Sequence, residues 1–378
     1  MNHLTYCLNV HPGESWAEVF ASIREKAMAV RDRVQRRAGI PARRPFGLGL
    51  RLGHDAALEL SRPERLDEFH AFLKTNDLYV PMINGFPYGR FHGAGVKEQV
   101  YAPDWTTPER LDYTCRLGDI LARLLPEGMS GSISTVPGSF RPWIRGEADR
   151  EKTIRHLQET AAHFARLKDE TGRTIHLGLE PEPGCYLETT AETVNFFKSL
   201  YTAGAHEELL REHIGVCLDA CHAAVGFESP AEALALYQRE GIRISRVQLS
   251  AAPAVSGWLH AEEALAGFEE PTYLHQVGAR FPNGSLKKWT DLPEARKAWQ
   301  GAEEIRVHCH VPLYWEGTGR LSSTARLLDA SFFESLKASL TEHMEIETYT
   351  FHVLPEELQR EGVVESLARE YEWCGARL

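Results

Sequence analysis

Apolar runs of strand length alternate with helical runs along the whole chain, and several of the strands end in a carboxylate or lie beside a histidine. These two observations predict an α/β fold, a (β/α)8 TIM barrel whose strands deliver polar groups to a shared C-terminal mouth. Length supplies a third. The 378 residues exceed the roughly 250 of a plain barrel, and no composition break, long linker or internal repeat divides them. The expectation is one barrel domain over residues 1–378, with an insertion at about 251–304 near the mouth.

The elements follow in order. Leu4 to Val10 alternates, with Tyr6, Leu8 and Val10 on one face and Asn9 and His11 on the other. Ser15 caps a helix from Trp16 to about Arg37, which stops before Gly39 and Pro41. Phe46 to Leu52 is a second strand whose glycines leave room inside a barrel, and Pro63 opens a second helix. Leu78 to Asn84 is the third strand, followed by a loop from Gly85 to Gly93. A helix from Thr107 to Leu125 leads to a short fourth strand beginning at Gly131. The long helix Glu147 to Glu170 stops at Thr171-Gly172. His176 to Glu180, Ile214 to Asp219 and Ile244 to Ser250 are strands five to seven, with helices opening at Thr189 and Ser229 between them. Met344 to Thr350 is the eighth, before a terminal helix near Pro355 to Cys374. Ile305 to Val311 also reads as a strand, a ninth candidate for eight places.

Glu180, Asp219 and Glu347 stand at the ends of strands five, six and eight. Clustered carboxylates repel unless a proton or a cation compensates them, and oxygen ligands with one or two imidazoles suit Mn²⁺, Mg²⁺, Co²⁺ or Zn²⁺. One divalent metal is the expected cofactor. A strand-end acid can instead cap a helix or pair with Arg51 or Arg246. His222, three residues after Asp219, is a second ligand, a substrate donor or a plain loop residue. His308 and His310 share a strand face, a spacing that serves metals or leaves a partly exposed pair. Glu182 lies one pleat beyond Glu180, placing it as a substrate contact or second base, and His11 adds an imidazole at another strand. Ser132, Ser134 and Ser139 can cradle an anion or form an ordinary turn. The aromatics of Phe86-Pro87-Tyr88, Trp258 and Tyr314-Trp315 can stack on a substrate or pack a lid.

Composition narrows the classes. Hydrophobic residues are 43% and charged residues 25%, and the net charge of −11 argues against nucleic-acid binding. The basic stretch from Arg31 to Arg44 reads as a solvated helix end and loop. The seven cysteines include no CxxC pair, as expected of reduced thiols. With no signal peptide and no membrane-length apolar run, the expectation is a cytoplasmic protein without membrane insertion.

Leu-Glu-Pro at 179–181, Leu-Asp-Ala-Cys-His at 218–222 and Ile-Glu-Thr at 346–348 resemble the xylose-isomerase-like superfamily of TIM barrels. That group includes sugar isomerases, ketose 3-epimerases, hydroxypyruvate isomerase and apurinic endonucleases of the endonuclease IV type. The opening from Leu4 to Trp16, Asn84 to Gly89, Ser134 to Ser139 and His310 to Leu313 narrow the resemblance to EboE, the metabolite traffic protein family of bacterial ebo clusters. The resemblance implies a metal held by Glu180, Asp219 and Glu347, with Gln248 where the superfamily has a histidine; either the site prefers a harder ion, or His310 or His308 supplies the missing nitrogen, or metal binding has weakened. It implies Glu180 and Glu347 as catalytic groups, and leaves His222 either a substrate contact, as in the epimerases, or a zinc ligand, as in the endonucleases; Glu182, His308 and His11 are further substrate contacts expected from their positions. The implied activity is metal-dependent isomerisation or epimerisation of a small polyhydroxylated metabolite, in processing or export of a secondary-metabolite precursor. The other reading is a carrier that kept the barrel and lost turnover. Implied partners are the small-molecule substrate and ebo-cluster proteins, and such barrels often dimerise.

Overall fold

The computed structural model describes residues 3–39, 44–92, 95–204, 206–338 and 340–378. Pro41, Gly93 and positions 40–43 of the basic stretch lie outside them. Eight parallel strands form a nearly closed barrel: β1 (His3–Tyr6), β2 (Phe46–Arg51), β3 (Leu78–Asn84), β4 (Gly131–Thr135), β5 (Ile175–Leu179), β6 (Ile214–Asp219), β7 (Arg243–Leu249) and, last in the chain, β13 (His343–Ile346). The order is β1-β13-β7-β6-β5-β4-β3-β2, and a parallel bridge between Cys7 and Gly49 joins the two ends. Helices cover the outside. Among them, Trp16–Ser22 starts at a Ser15–Glu18 capping box and continues through a wide turn at Ile23–Ala27 to Arg37.

The strand alternation works as expected. Outward aliphatics such as Val216, Leu218, Leu177 and Leu179 are buried under the helices. The inward positions are polar and stacked in layers. In the middle of the barrel, Arg246 Nη1 donates to Glu345 Oε2 at 2.7 Å, and its other amino group donates to the carbonyls of Ile83 and Ser132. Gly49 is required there: a Cβ at that position would lie 1.9 Å from Glu345 Oε1.

The ninth strand candidate is not a barrel strand. Glu304–Val307 is β11, the centre of a second, antiparallel sheet. Its other members are β8 (Pro253–Ser256), β9 (Val277–Arg280), β10 (Leu286–Trp289) and β12 (Leu321–Ser323), in the order β10-β9-β11-β8-β12. The strand run expected to Val311 ends at Val307, so His308 and His310 lie in the segment that leaves it. Gly278 holds the sheet against the barrel, since a Cβ there would meet the Val225 carbonyl at 2.1 Å. Arg306 Nη1 donates to the Ala224 carbonyl at 2.7 Å from the same side. β1 is also shorter than expected. The chain leaves it at Cys7 and winds through a 3₁₀ turn, Leu8–Val10.

Candidate metal centre

Glu180, Asp219 and Glu347 converge at the mouth, with one carboxyl oxygen of each within 4.8 Å of the others. All three are buried. Glu347 Oε1 accepts from Asn9 Nδ2 at 2.7 Å and Asn84 Nδ2 at 3.1 Å. Asp219 does cap a helix: its Oδ1 accepts from the His222 amide at 2.9 Å, and from Ser250 Oγ at 2.8 Å. That role uses one oxygen only. Asp219 Oδ2 and Glu180 Oε2 are buried without a hydrogen-bond partner. Neither arginine neutralises this group, because Arg246 pairs with Glu345 and Arg51 with Glu14.

Burial, then the neighbouring acids, pushes Glu180 and Glu347 well above the usual carboxylate range. Burial acts on Asp219 in the same direction, but His222, His310 and its two hydrogen bonds outweigh it and hold it low. An orphaned oxygen on each of two buried acids, among three that repel, fits a divalent cation.

Three imidazoles border the carboxylates. His222 Nε2 lies 3.1 Å from His308 Nε2, which lies 3.3 Å from His310 Nε2. His222 Nε2 is 3.9 Å from Asp219 Oδ1, and His310 Nε2 is 4.0 Å from Asp219 Oδ2. Burial lowers all three imidazoles, His222 to about 4. Glu182 Oε1 accepts from Tyr101 Oη at 2.7 Å and Gln276 Nε2 at 3.0 Å, while burial pushes its carboxyl up to about 8.

Glu180, Glu182, His222, His308 and Glu347 line one cavity of about 50 Å³, with Asn9, Asn84, Tyr101 and Lys97. Phe91, Tyr273 and Tyr349 meet over it at centroid distances of 5.1 to 5.3 Å. Lys97 Nζ donates to Asp291 Oδ2 at 2.7 Å, tying this edge to the inserted segment.

Some expected residues lie elsewhere. His11 is buried away from the mouth, with Nε2 3.0 Å from Tyr6 Oη, in a separate small cavity beside Pro12, Val19 and Arg51. Gln248 stands in register with Asp219 and Glu345. Its Oε1 accepts from Cys217 Sγ at 3.2 Å and its Nε2 has no partner. As placed, Gln248 offers the site a donor; a half-turn of the amide exchanges the two atoms. The three serines do not form an anion cradle. Ser132 bonds Ser245, Ser134 faces Arg246, and Ser139 donates to Asp104. Phe86 and Pro87 line the cavity, whereas Tyr88 stacks on His54 and Tyr314 on Arg369.

Asn84 was missed although it ends β3 as Asp219 ends β6, so the strand-end pattern contained it. Tyr101 ends a 3₁₀ turn, Lys97–Tyr101, and Phe91, Tyr273 and Gln276 lie in loops with no periodic signal; Tyr349 falls in the expected eighth strand, which ends at Ile346, and opens the 3₁₀ turn Tyr349–Val353 instead.

The family model described as xylose isomerase-like TIM barrel matches residues 50–269. The chain belongs to that family. Among solved structures it is similar to the probable 3-DHS dehydratase AsbF involved in petrobactin synthesis, from Bacillus anthracis, at 12% identity over 100% of both chains, with a TM-score of 0.51. A xylose isomerase-like TIM barrel protein from Mycobacterium smegmatis, in complex with magnesium, matches at 12% identity over 98% of this chain and 94% of that one, TM-score 0.52. L-ribulose 3-epimerase matches at 11% identity over 100% and 95%, TM-score 0.51. At these identities the likeness is one of fold. No curated protein matches. Among the described residues, no helix is long and apolar enough to cross a membrane.

Proposed function

We propose that this protein is a metal-dependent isomerase or epimerase of a small polyhydroxylated metabolite, acting in processing or export of a secondary-metabolite precursor, as the EboE resemblance implies. The observation that carries the reading is the buried group Glu180, Asp219 and Glu347, two of whose oxygens have no partner. These acids would hold the ion, with His310 beside them and Gln248 only after its amide turns. A bound divalent cation would supply positive charge for the oxygen charge that develops as a proton leaves the adjacent carbon. The magnesium in one structural neighbour and the epimerase activity named for another support the same reading.

The chain's own residues do the rest. Glu180 and Glu347, whose carboxyls burial and the neighbouring acids push well above the usual range, are the groups to exchange a proton with the substrate carbon. Asn9 and Asn84 fix Glu347 by its Oε1, leaving the other oxygen for that task. His222, His308 and Glu182 line the cavity at hydrogen-bonding reach of substrate hydroxyls. Phe91, Tyr273 and Tyr349 exclude water. The cavity's 50 Å³ holds only a few waters, so a sugar-sized substrate enters when this roof opens. The partner of this cavity is a small molecule; the resemblance adds ebo-cluster proteins, a second copy of the chain and a cytoplasmic location to the proposal.

The test is deuterium exchange. A panel of ketoses and hydroxy-ketones is incubated in D₂O with metal-loaded protein and followed by NMR. The reading expects deuterium at the carbon beside the carbonyl, lost in Glu180→Gln and Glu347→Gln. Saturable binding without exchange would favour the carrier reading, to which Gln248 in place of an imidazole also points.

A further inference from the structure

We propose that Arg280, Arg306 and Arg326 form a binding site for a phosphate-class dianion on the inserted sheet, outside the barrel mouth. None of the three lines the mouth cavity, and the functional reading above uses none of them.

Strand pairing brings the group together. Glu304 of β11 lies opposite Arg280 of β9 in the antiparallel ladder, so their side chains share a face of the sheet. Arg306, two residues on, points to that face too. Arg326 reaches it from the 3₁₀ turn Thr324–Leu327 after β12, where its Nη1 donates to the Ser323 carbonyl at 2.8 Å. All three guanidiniums converge on Glu304. Arg306 Nε and Arg326 Nη2 donate to its Oε1 at 3.0 and 2.8 Å, and Arg280 Nη2 donates to its Oε2 at 2.7 Å.

The charges do not balance. Glu304 is the one carboxylate that any of the three guanidiniums bonds among the described residues. Other acids close by are engaged elsewhere. Glu188 pairs with Lys288, which stands opposite Gly278 on the same face, and Glu228, next to Phe227, accepts from the Thr190 amide and hydroxyl. The group thus carries two positive charges in excess, in a chain whose net charge is −11. Arg306 bears this most, with a side chain only 7% exposed. Burial holds its guanidinium below the ordinary value; Glu304 opposes this, and Arg326 and Arg280 add to it.

Donors are left over. Arg306 spends Nε on Glu304 and Nη1 on the Ala224 carbonyl, and its second amino group has no hydrogen-bond partner among the described residues. Arg280 spends one amino group only. Arg280 and Arg326 are 46% and 47% exposed, which leaves N–H groups open to solvent. Phe227 steadies the forks. It follows the helix Ala220–Val225 with a φ of 61°, a left-handed conformation that favours glycine. Its ring centre lies 4.1 Å from the Arg306 guanidinium carbon and 5.3 Å from that of Arg280, so stacking orients both before a ligand arrives.

Guanidinium forks match the oxygens of a phosphate two at a time. A dianion cancels the excess of two, whereas a monoanion meets half of it. The chain's overall charge repels anions at long range. The ligand therefore gains by direct contact, and its binding should weaken as salt rises.

The experiment is calorimetric titration of chelator-stripped full-length protein at low ionic strength, with inorganic phosphate and with sn-glycerol 3-phosphate. Chelation removes any metal that would itself hold phosphate. Wild type is expected to bind one equivalent saturably, and Arg280→Ala and Arg326→Ala to bind about 10–100-fold more weakly. Both side chains are half exposed, so the variants should keep the wild-type circular dichroism spectrum. Lys97→Met, at the mouth, should bind as wild type does. Tighter binding of the ester would assign the site to phosphorylated metabolites, and tighter binding of phosphate to the free ion. No saturable binding of either probe overturns the proposal. So does binding that both arginine variants retain in full, or binding that Lys97→Met abolishes, which would place the anion at the mouth.

Discussion

Replacing Glu347 by glutamine separates the electrostatics of the acid group from its packing. Glutamine keeps an Oε1 that can accept from Asn9 and Asn84, and removes one negative charge. With oxygens within 4.8 Å of one another, two full charges repel by about 3.5 kcal/mol at an effective dielectric of ~20. Part of this is already relieved, because Glu180 and Glu347 are pushed towards their protonated forms. The metal-free variant should therefore be more stable than metal-free wild type by about 1–2 kcal/mol. Adding Mn²⁺ at about 100 times its Kd should stabilise wild type by roughly 2.7 kcal/mol and the variant hardly at all. The order of stabilities reverses between chelator and metal. Urea unfolding in EDTA and in Mn²⁺ reads both effects. A variant less stable than wild type in EDTA, or one that gains as much from Mn²⁺, would refute the reasoning.

Three further outcomes follow from the same contacts. Gln276→Ala removes the donor to buried Glu182 Oε1 and should cost about 1–3 kcal/mol in urea unfolding; unchanged stability would mean that this hydrogen bond contributes nothing. Arg246→Met leaves Glu345 buried without its partner and should cost about 3–5 kcal/mol in urea unfolding, whereas a loss under 1 kcal/mol would mean the pair is replaceable. Glu370, in the helix Val363–Gly375, accepts from the Leu313 amide at 3.0 Å and Thr348 Oγ1 at 2.8 Å, and burial raises its carboxyl from 4.5 to about 7. The folded chain thus holds this proton where the unfolded chain has lost it. Stability from this group is complete below pH 4.5 and falls as pH rises to about 7. Glu370→Gln should gain on wild type by about 3 kcal/mol across that window, and parallel stability–pH curves would contradict it.

The barrel and its acids were legible because strand side chains alternate. Once Val216 and Leu218 face the helices, Cys217 and Asp219 must face the interior, and the same holds for Glu180 and Glu347. Where the backbone leaves the strand, the inference fails. The alternation from Leu4 to Val10 continues in sequence past Tyr6, but the chain turns at Leu8–Val10. Asn9 swings to Glu347 while His11 turns back to Tyr6. The run from Ile305 shows the same limit. Its pattern marks a strand, but β11 pairs antiparallel with β8 and β9, partners set by distant loops and tertiary packing. Gln276 and Tyr101 reach Glu182 through those loops, and no local spacing predicts such contacts.

In the proposed function the strand-end acids Glu180, Asp219 and Glu347 hold a divalent cation. Elemental mass spectrometry of protein purified without a histidine tag tests it most directly, for wild type and Glu347→Gln. Wild type is expected to carry Mn, Co, Zn or Mg near stoichiometry, and the variant one equivalent fewer. Equal metal in the two proteins, or none in wild type after incubation with each ion, would contradict it.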